Sequence, residues 1–350
     1  MTTDNPKIAI IGAGIIGLSC AWELLKRGAD VTVYERQWPP RGASWAAAGM
    51  LAPAFESACV EGAHPQLFNL CLKSAELWPE FAAELEAQSG LDVGYHKSAT
   101  LAVGINEEEC GKLDALQNAL QMKKVEVRKL TGREVRPLER GLGPEIEQAL
   151  VLPSDGRVNA RDALMALHQA VEKAGGVFHS KDVPDRAALA KSFDATLVAT
   201  GSETKDLVKP VHGVMLAFRR ADLPLDHVVR CGGEYLVPRG DHVLVGATVG
   251  DVPDPRAFLL SRAVRFFPRI RSAALVDQWS GARPRTPDHA PILAAMGGGS
   301  SFVATGHYRN GILLAPVTAK IMADMVLGDQ RSDLAAAFDV SRFMSVRGAL

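Results

Sequence analysis

The sequence predicts an α/β plus α+β fold: a Rossmann-like half built on a βαβ unit, with an antiparallel-sheet half inserted into it in two stretches. Three observations carry this. The chain begins with an apolar strand, a glycine-rich turn, a helix and a second strand, "KIAIIGAGIIGLSCAWELLKRGADVTVYE". Two later segments, "LVATGS" (Leu197 to Ser202) and "FVATGH" (Phe302 to His307), echo each other as short apolar strands ending in small residues, as befits strands whose carboxyl ends meet one ligand. Between them, "EYLVPRGDHVLVGATV" reads as two strands joined by a turn around Arg239 to Asp241.

Composition bounds what these elements can do. At 350 residues the chain suits a two-part enzyme of ordinary size, given about 100–200 residues per domain. With 47% apolar residues and Lys+Arg 39 against Asp+Glu 40, it lacks the field to grip nucleic acid or an anionic membrane, so a small-molecule partner is expected. Five scattered cysteines, Cys20, Cys59, Cys71, Cys110 and Cys231, show no CxxC spacing, which argues against a disulfide framework or a metal site. The start "MTTDNPKIAII" leaves no room for a secretory signal. The most lipid-like stretch, Ile312 to Leu327, contains Pro316, Lys320 and Asp324 and falls short of the ~20 apolar residues of a membrane span. A cytoplasmic location is expected.

In chain order, the first strand runs Lys7 to Ile11. Gly12 permits the tight turn, Gly14 lets backbone approach a pyrophosphate, and Gly17 allows close helix-to-strand packing. The helix ends near Gly28, and the second strand closes at Glu35, an acid suited to an adenosine ribose. "RGASWAAAGMLAP" follows; Ser44, Ala46, Ala47, Ala48 and Gly49 leave room for a planar ring against their backbone, or for an alanine-rich helix packed closely on a neighbour. A strand from Tyr95 to Val103, a helix from about Asn106 to Met122 and a capping box at Thr131 and Glu134 begin the inserted half. Asn159 caps a helix stopping at Gly176 that returns the chain to the cofactor half. The last echoed strand leads into a helix beginning around Gly311 to Pro316, whose positive end suits a cofactor that becomes anionic on reduction, an effect of about 0.3–2 kcal/mol. The expected division is 1–92, 151–207 and 278–350 for cofactor binding, and 93–150 and 208–277 for substrate binding.

The motifs "GAGIIG", "ASWAAAGMLAP", "YLVPR", "GARPRTPDHAPIL" and "GHYRNGILLAP" resemble, in order and spacing, those of the D-amino-acid-oxidase-like FAD-dependent oxidoreductases, and most of all the glycine oxidase group of thiamine biosynthesis. The likeness spans most of the chain, and its closing motif is more diagnostic than the opening glycines. It implies a glutathione-reductase-type βαβ unit holding FAD. The cofactor contacts it implies at the amino end are Gly12, Ala13, Gly14, Ile15, Ile16, Gly17, Glu35 and Arg36, then Ser44, Ala46, Ala47, Ala48, Gly49 and Met50. Later ones are Val183, Thr200 and Gly201, and then Gly306, His307, Tyr308, Arg309, Asn310, Gly311, Ile312 and Leu313.

The resemblance also implies that Arg283 grips a substrate carboxylate, with a hydroxyl hydrogen bond from Tyr235. It places Arg309 beside flavin and substrate, with its carbonyl receiving the substrate amine, and leaves its charge two readings: it answers the substrate carboxylate, or the charge of reduced flavin. Met50, Phe55 and Val249 are candidate pocket walls or core filling. Ala54 and Phe55 stand where the family has a polar and a small residue, and Gly250 where an acid is common, which bears on the identity of the amine. Hydride transfer from Cα to flavin N5 needs alignment rather than a protein base, so His212, His289 and His307 are read as structural. Relatives that bind flavin covalently use histidine or cysteine; "RGASWAAAGMLAP" has neither, so non-covalent FAD is expected. The expected reaction is oxidative deamination of glycine, sarcosine or a small D-amino acid, giving the imine and, with oxygen, hydrogen peroxide. The alternatives are a dehydrogenase passing electrons to a quinone or carrier, and a flavin-binding scaffold without turnover. The family tends to form homo-oligomers.

Overall fold

The computed structural model describes residues 5–55, 57–58, 60–204, 206–297, 299–329 and 333–343. Its first half is organised on a six-stranded sheet in the order Ile292–Met296, Ser301–Thr305, Ala195–Val198, Lys7–Ile11, Asp30–Glu35 and Val177–Ser180. All pairings are parallel except that of the edge strand Ile292–Met296. A parallel sheet needs both faces covered. The Ile15–Lys26 helix packs on Ala160–Lys173 and Ala315–Leu327, and all join one core through Ile10, Leu18, Trp22 and Leu164.

A longer helix, Leu67–Ser89, was not legible in the sequence. It packs on the same two helices and ends at Gly90, whose φ of +78° is left-handed. Its Ser74 Oγ and Trp78 Nε1 donate to the Leu313 carbonyl at 2.6 and 2.9 Å. A core helix is thereby tied to the loop that closes the cofactor edge.

The second sheet has eight strands, ordered Leu275–Arg285, Lys209–Arg219, His242–Gly246, Glu234–Arg239, Val228–Cys231, Thr100–Gly104, Gln148–Leu152 and Arg128–Thr131. It is antiparallel apart from one seam, where Val228–Cys231 lies parallel to Thr100–Gly104. Alternate side chains face opposite sides of a strand. Outward ones, including Leu216, Leu236 and Val245, pack under Leu259, Ala263 and Phe266 of the Pro255–Phe266 helix. Inward ones, Met215, Ala217, Tyr235 and Val237, meet Ala48 and Met50.

Several local expectations match closely. Asn106 caps the Glu107–Met122 helix by accepting from the Glu109 amide at 2.9 Å, and Asn159 caps Ala160–Lys173 by accepting from Arg161 at 3.2 Å. The Thr131–Glu134 capping box is formed. The Tyr95–Val103 strand is shorter than expected: regular pairing begins at Thr100, because His96 pairs separately with Arg157. Two expected domain boundaries fall inside strands. Leu275–Arg285 stays paired with Lys209–Arg219 as far as Arg285, which 277/278 would cut, and 150/151 would cut Gln148–Leu152.

Among the described residues no helix is long and apolar enough to cross a membrane, and no cluster suits a metal ion. No disulfide joins Cys20, Cys71, Cys110 and Cys231 to one another; Cys59 lies outside the described residues.

Candidate functional site

The site starts at the turn after Ile11. Gly12 has φ +108°, and a Cβ there would sit 2.6 Å from the Ala199 carbonyl oxygen; a Cβ at Gly17 would sit 1.9 Å from the Gly12 oxygen. Only glycine allows this approach of turn, helix and neighbouring strand. The Gly12 amide donates to the Tyr34 carbonyl at 2.8 Å. Glu35 accepts from the Ala13 amide at 2.9 Å and the Gln37 amide at 3.3 Å, so its carboxylate braces the turn while still lining the cavity. Arg36 forms an ion pair with Glu203 at the same edge.

The alanine-rich stretch is helical only over Ala43–Ala46 and then runs extended. Ser44, expected against a ring, accepts from the Ile15 amide at 3.0 Å and so caps the first helix. Gly49 has φ +86° and approaches Val158 so closely that a Cβ would fall 1.9 Å from its carbonyl oxygen. The eight-stranded sheet lies directly against this stretch: Trp279 Nε1 donates to the Ala46 carbonyl at 3.1 Å, and a Cβ at Gly281 would meet the Ala46 methyl at 2.5 Å. Arg161 stacks between the Trp45 and Trp279 rings, 4.9 and 4.4 Å from their centroids, and steadies that contact.

One continuous cavity joins these parts. It is lined by Gly12, Gly14, Ile15, Ile16, Glu35, Arg36, Ser44 to Met50, Val183, Thr200 and Gly201, and by His307 to Ile312. The roof contributes Gly213, Met215, Arg230, Tyr235, Gly281 and Arg283. Arg283 is half-buried and donates from Nη1 to the Thr248 carbonyl at 3.2 Å. It lies across Gly213, where a Cβ would be 2.3 Å from Nη1. The Tyr235 hydroxyl points at the Met215 sulfur, 3.4 Å away, a weak acceptor that an oxygen ligand readily displaces. Arg309 is half-buried at the cavity wall.

Six expected contacts lie outside the lining. Ala13 and Gly17 are buried beneath the turn, where they shape it. Gly306, at φ +75°, makes space for the Thr286 methyl; Leu313 offers its carbonyl to Ser74 and Trp78. Val249 is 52% exposed, because the chain has left the strand at Gly246 and inward-outward alternation no longer holds it. Phe55 is the other correction: it packs beside Phe68 and Leu113 and lies 4.3 Å beneath the Arg230 guanidinium, which takes the cavity position itself.

Arg230 and Met215 escaped the sequence reading. The signal for Arg230 was a lone charge in the apolar run "VVRC", which is 4% exposed in the fold. Beside it, burial pushes the Asp155 carboxyl up to about 7, against the pull of Thr100 and Arg230. His307 shares a hydrogen bond of 3.0 Å between Nε2 and Thr318 Oγ1, and burial pushes its imidazole down to about 3, so it is neutral and structural at ordinary pH. His289 lies against the Tyr308 ring, 5.3 Å between centroids, and does not line the cavity; nor does His212.

A glycine-turned cradle at the carboxyl edge of a parallel sheet, facing an arginine-bearing sheet across one cavity, defines a dinucleotide-dependent redox enzyme. The profile of the FAD dependent oxidoreductase family matches residues 7–325, and the chain belongs to that family. Its cofactor is FAD. The residues present fit that group: the Gly12 turn and the small residues Ala47 to Gly49 keep that part of the cavity lining clear of large side chains. The chain is 33% identical to the glycine oxidase of Geobacillus kaustophilus over 99% of this chain and 98% of that one. A crystal structure of glycine oxidase from that organism superposes with a TM-score of 0.86 at 32% identity, covering 97% and 99%. The bifunctional protein ThiO/ThiG of Trichormus variabilis is 34% identical over 98% of this chain and 55% of its own length, so this chain spans about half of that relative.

Proposed function

We propose that the protein oxidises a small amino acid, glycine or else sarcosine or a small D-amino acid, to the imine. The observation that carries this is the Arg283 guanidinium lying across Gly213, within one cavity with the Ala46–Met50 stretch. Arg283 binds the carboxylate through paired charge-assisted N–H donors, and the Tyr235 hydroxyl exchanges the Met215 sulfur for a carboxylate oxygen. With the carboxylate pinned, the remaining freedom of a small amino acid is rotation about one bond, and the Ala46–Met50 wall limits that. Arg309 adds positive charge at the cavity wall. FAD, when bound, supplies the hydride acceptor. No side chain has to take a proton from carbon, and the buried, neutral His307 accords with this.

In this reading oxygen is the final acceptor and hydrogen peroxide the second product, FAD is held without a covalent bond, and the enzyme works in the cytoplasm, as a homo-oligomer. The cofactor unit follows the six-stranded sheet and the substrate unit the eight-stranded one, with Gln148–Leu152 and Leu275–Arg285 assigned whole to the latter. The test is anaerobic mixing of the yellow holoenzyme with glycine, sarcosine and small D-amino acids. Bleaching by at least one supports the reading; an unbleached flavin with all of them overturns it. Peroxide yield in air then separates oxygen from a carrier as acceptor.

A further inference from the structure

The strand that carries Arg283 is tied to the cofactor side of the cavity at two places. Leu275–Arg285 is an edge strand of the eight-stranded sheet, with Lys209–Arg219 as its neighbour. Register sets Trp279 opposite Met215, Gly281 opposite Gly213 and Arg283 opposite Val211, and because side chains alternate along a strand these three share one face. Trp279 Nε1 donates to the Ala46 carbonyl at 3.1 Å, and Gly281 admits the Ala46 methyl to a point where a Cβ of its own would be 2.5 Å away. Beyond Arg283 the second tie is made by backbone alone: the Tyr308 amide donates to the Pro284 carbonyl at 2.9 Å, and Arg285 bridges to His307.

The first tie is stiffened from behind. Arg41, Trp45, Arg161, Trp279 and Arg239 alternate as cation and ring, with guanidinium carbons 4.7, 4.9, 4.4 and 5.3 Å from the successive ring centroids. Within that series Arg161 Nε also donates to the Trp45 carbonyl at 3.2 Å. Two adjacent carbonyls, those of Trp45 and Ala46, are therefore held by side chains, one from the Ala160–Lys173 helix and one from the Arg283 strand. Trp45, Ala46 and Gly281 line the cavity, whereas Arg161 and Trp279 do not. The pair acts on the cavity wall without being part of it.

Arg283 is next in sequence to the backbone tie at Pro284 and further along the strand from the side-chain tie at Trp279. Loss of the Trp279 bond therefore leaves Arg283 anchored near Pro284 and frees the other part of the strand to shift against the Ala46–Met50 stretch. Alignment at a reacting centre is unforgiving, ~1 Å of misplacement costing ~10²-fold in rate. Charge attraction falls only with the inverse of distance, so capture of a carboxylate tolerates the same shift. We infer that Trp279 is a positioning residue for the oxidation: it fixes how the Arg283 strand lies against the Ala46–Met50 stretch, and so governs how fast a captured substrate loses hydride, not how tightly it is captured. This rests on the amine-oxidising reading of the same cavity.

The test follows anaerobic bleaching of the holoenzyme by whichever of glycine, sarcosine and the small D-amino acids reduces wild type fastest, in wild type and in Trp279→Phe, which keeps a ring and removes the N–H donor. Expected in the variant are retained FAD, a half-saturating substrate concentration within about threefold of wild type, and a limiting rate of reduction lower by about tenfold or more. A wild-type limiting rate, or a rise in half-saturating concentration at least as large as the fall in rate, overturns the inference. Hydrogen exchange in the flavin-free protein judges the tie without turnover. Amides across residues 43–50 should exchange about tenfold faster in Trp279→Phe, with those of the Thr131 capping box unchanged; equal exchange across 43–50 counts against the inference. A wild-type flavin that no amine reduces sinks the proposed function and leaves exchange to judge the tie, whereas normal reduction in both proteins sinks this inference alone. Should Trp279→Phe fail to fold, Gly281→Ala, which drives a methyl against that of Ala46, and Arg161→Met, which removes the stack and the bond to Trp45, should show the same split; wild-type limiting rates in both count against it.

Discussion

The six-stranded and eight-stranded sheets meet one cavity with opposite materials. The parallel side offers backbone and very small side chains, Gly12, Gly14 and Ala46 to Gly49, while the antiparallel side offers Arg230, Tyr235 and Arg283. On the proposed reading, a large flat cofactor is held by the shape of a main chain, and a small ionic substrate by a few long side chains whose positions the strand pleat sets. Damage to one side should therefore read out differently from damage to the other.

The largest contrast is expected from Arg283→Ala, which on the proposed reading leaves the substrate carboxylate without its charge partner and should raise the barrier set by kcat/KM by ~2–5 kcal/mol with flavin content unchanged. Loss of flavin in that variant would merge the two sides. A sharper version uses two glycines. Gly17→Ala drives a methyl to 1.9 Å from the Gly12 oxygen, and Gly213→Ala drives one to 2.3 Å from Arg283 Nη1. Each should cost ~1–3 kcal/mol by overpacking. The first should appear as lost flavin affinity, the second as raised KM with the flavin retained; equilibrium dialysis of FAD and steady-state kinetics separate them.

Next in size is a pH effect. Asp155 is pushed up to about 7 by burial, so above its ordinary value of ~3.9 the unfolded chain loses a proton that the native state keeps, and stability falls as pH rises toward 7. His307 is pushed down to about 3, so below ~6.5 the unfolded chain holds a proton the native state lacks, and stability rises with pH. The two slopes oppose each other between roughly pH 4 and 6.5. Asp155→Asn removes one of them, so its unfolding free energy relative to wild type should climb by ~1.4 kcal/mol per pH unit across that window, measured by urea denaturation. Parallel profiles would show Asp155 to be ionised in the native state. The smallest effect is Thr131→Ala, which breaks a capping box remote from the cavity: about 1 kcal/mol of stability by thermal melting, with neither flavin nor substrate binding altered.

The same difference in materials governs what was legible in the sequence. The βαβ unit was legible, its two strands to the residue, because strand, glycine turn and helix are contiguous in the chain, although the approach that forces Gly12 comes from distant Ala199. The caps at Thr131 and Asn159, and the helix start near Asn106, are likewise set by neighbouring residues and were legible. Arg230 was not, since a charge in "VVRC" acquires its meaning only from Tyr235 on the next strand and Phe55 on a distant loop. The Leu67–Ser89 helix hid because Pro79 interrupts its pattern; buried Trp78 beside it bonds to a carbonyl more than two hundred positions away. Expected domain boundaries slipped into Gln148–Leu152 and Leu275–Arg285 because no turn residue at 150/151 or 277/278 marks a break in the chain.

The most direct test of the central claim, that Arg283 anchors the substrate carboxylate opposite the flavin, is an anaerobic titration of the flavin absorbance with glycine in wild type and in Arg283→Ala at matched FAD content. The account predicts bleaching in wild type and a rise of at least thirtyfold in the half-saturating glycine concentration in the variant. Equal half-saturation in the two proteins would contradict it.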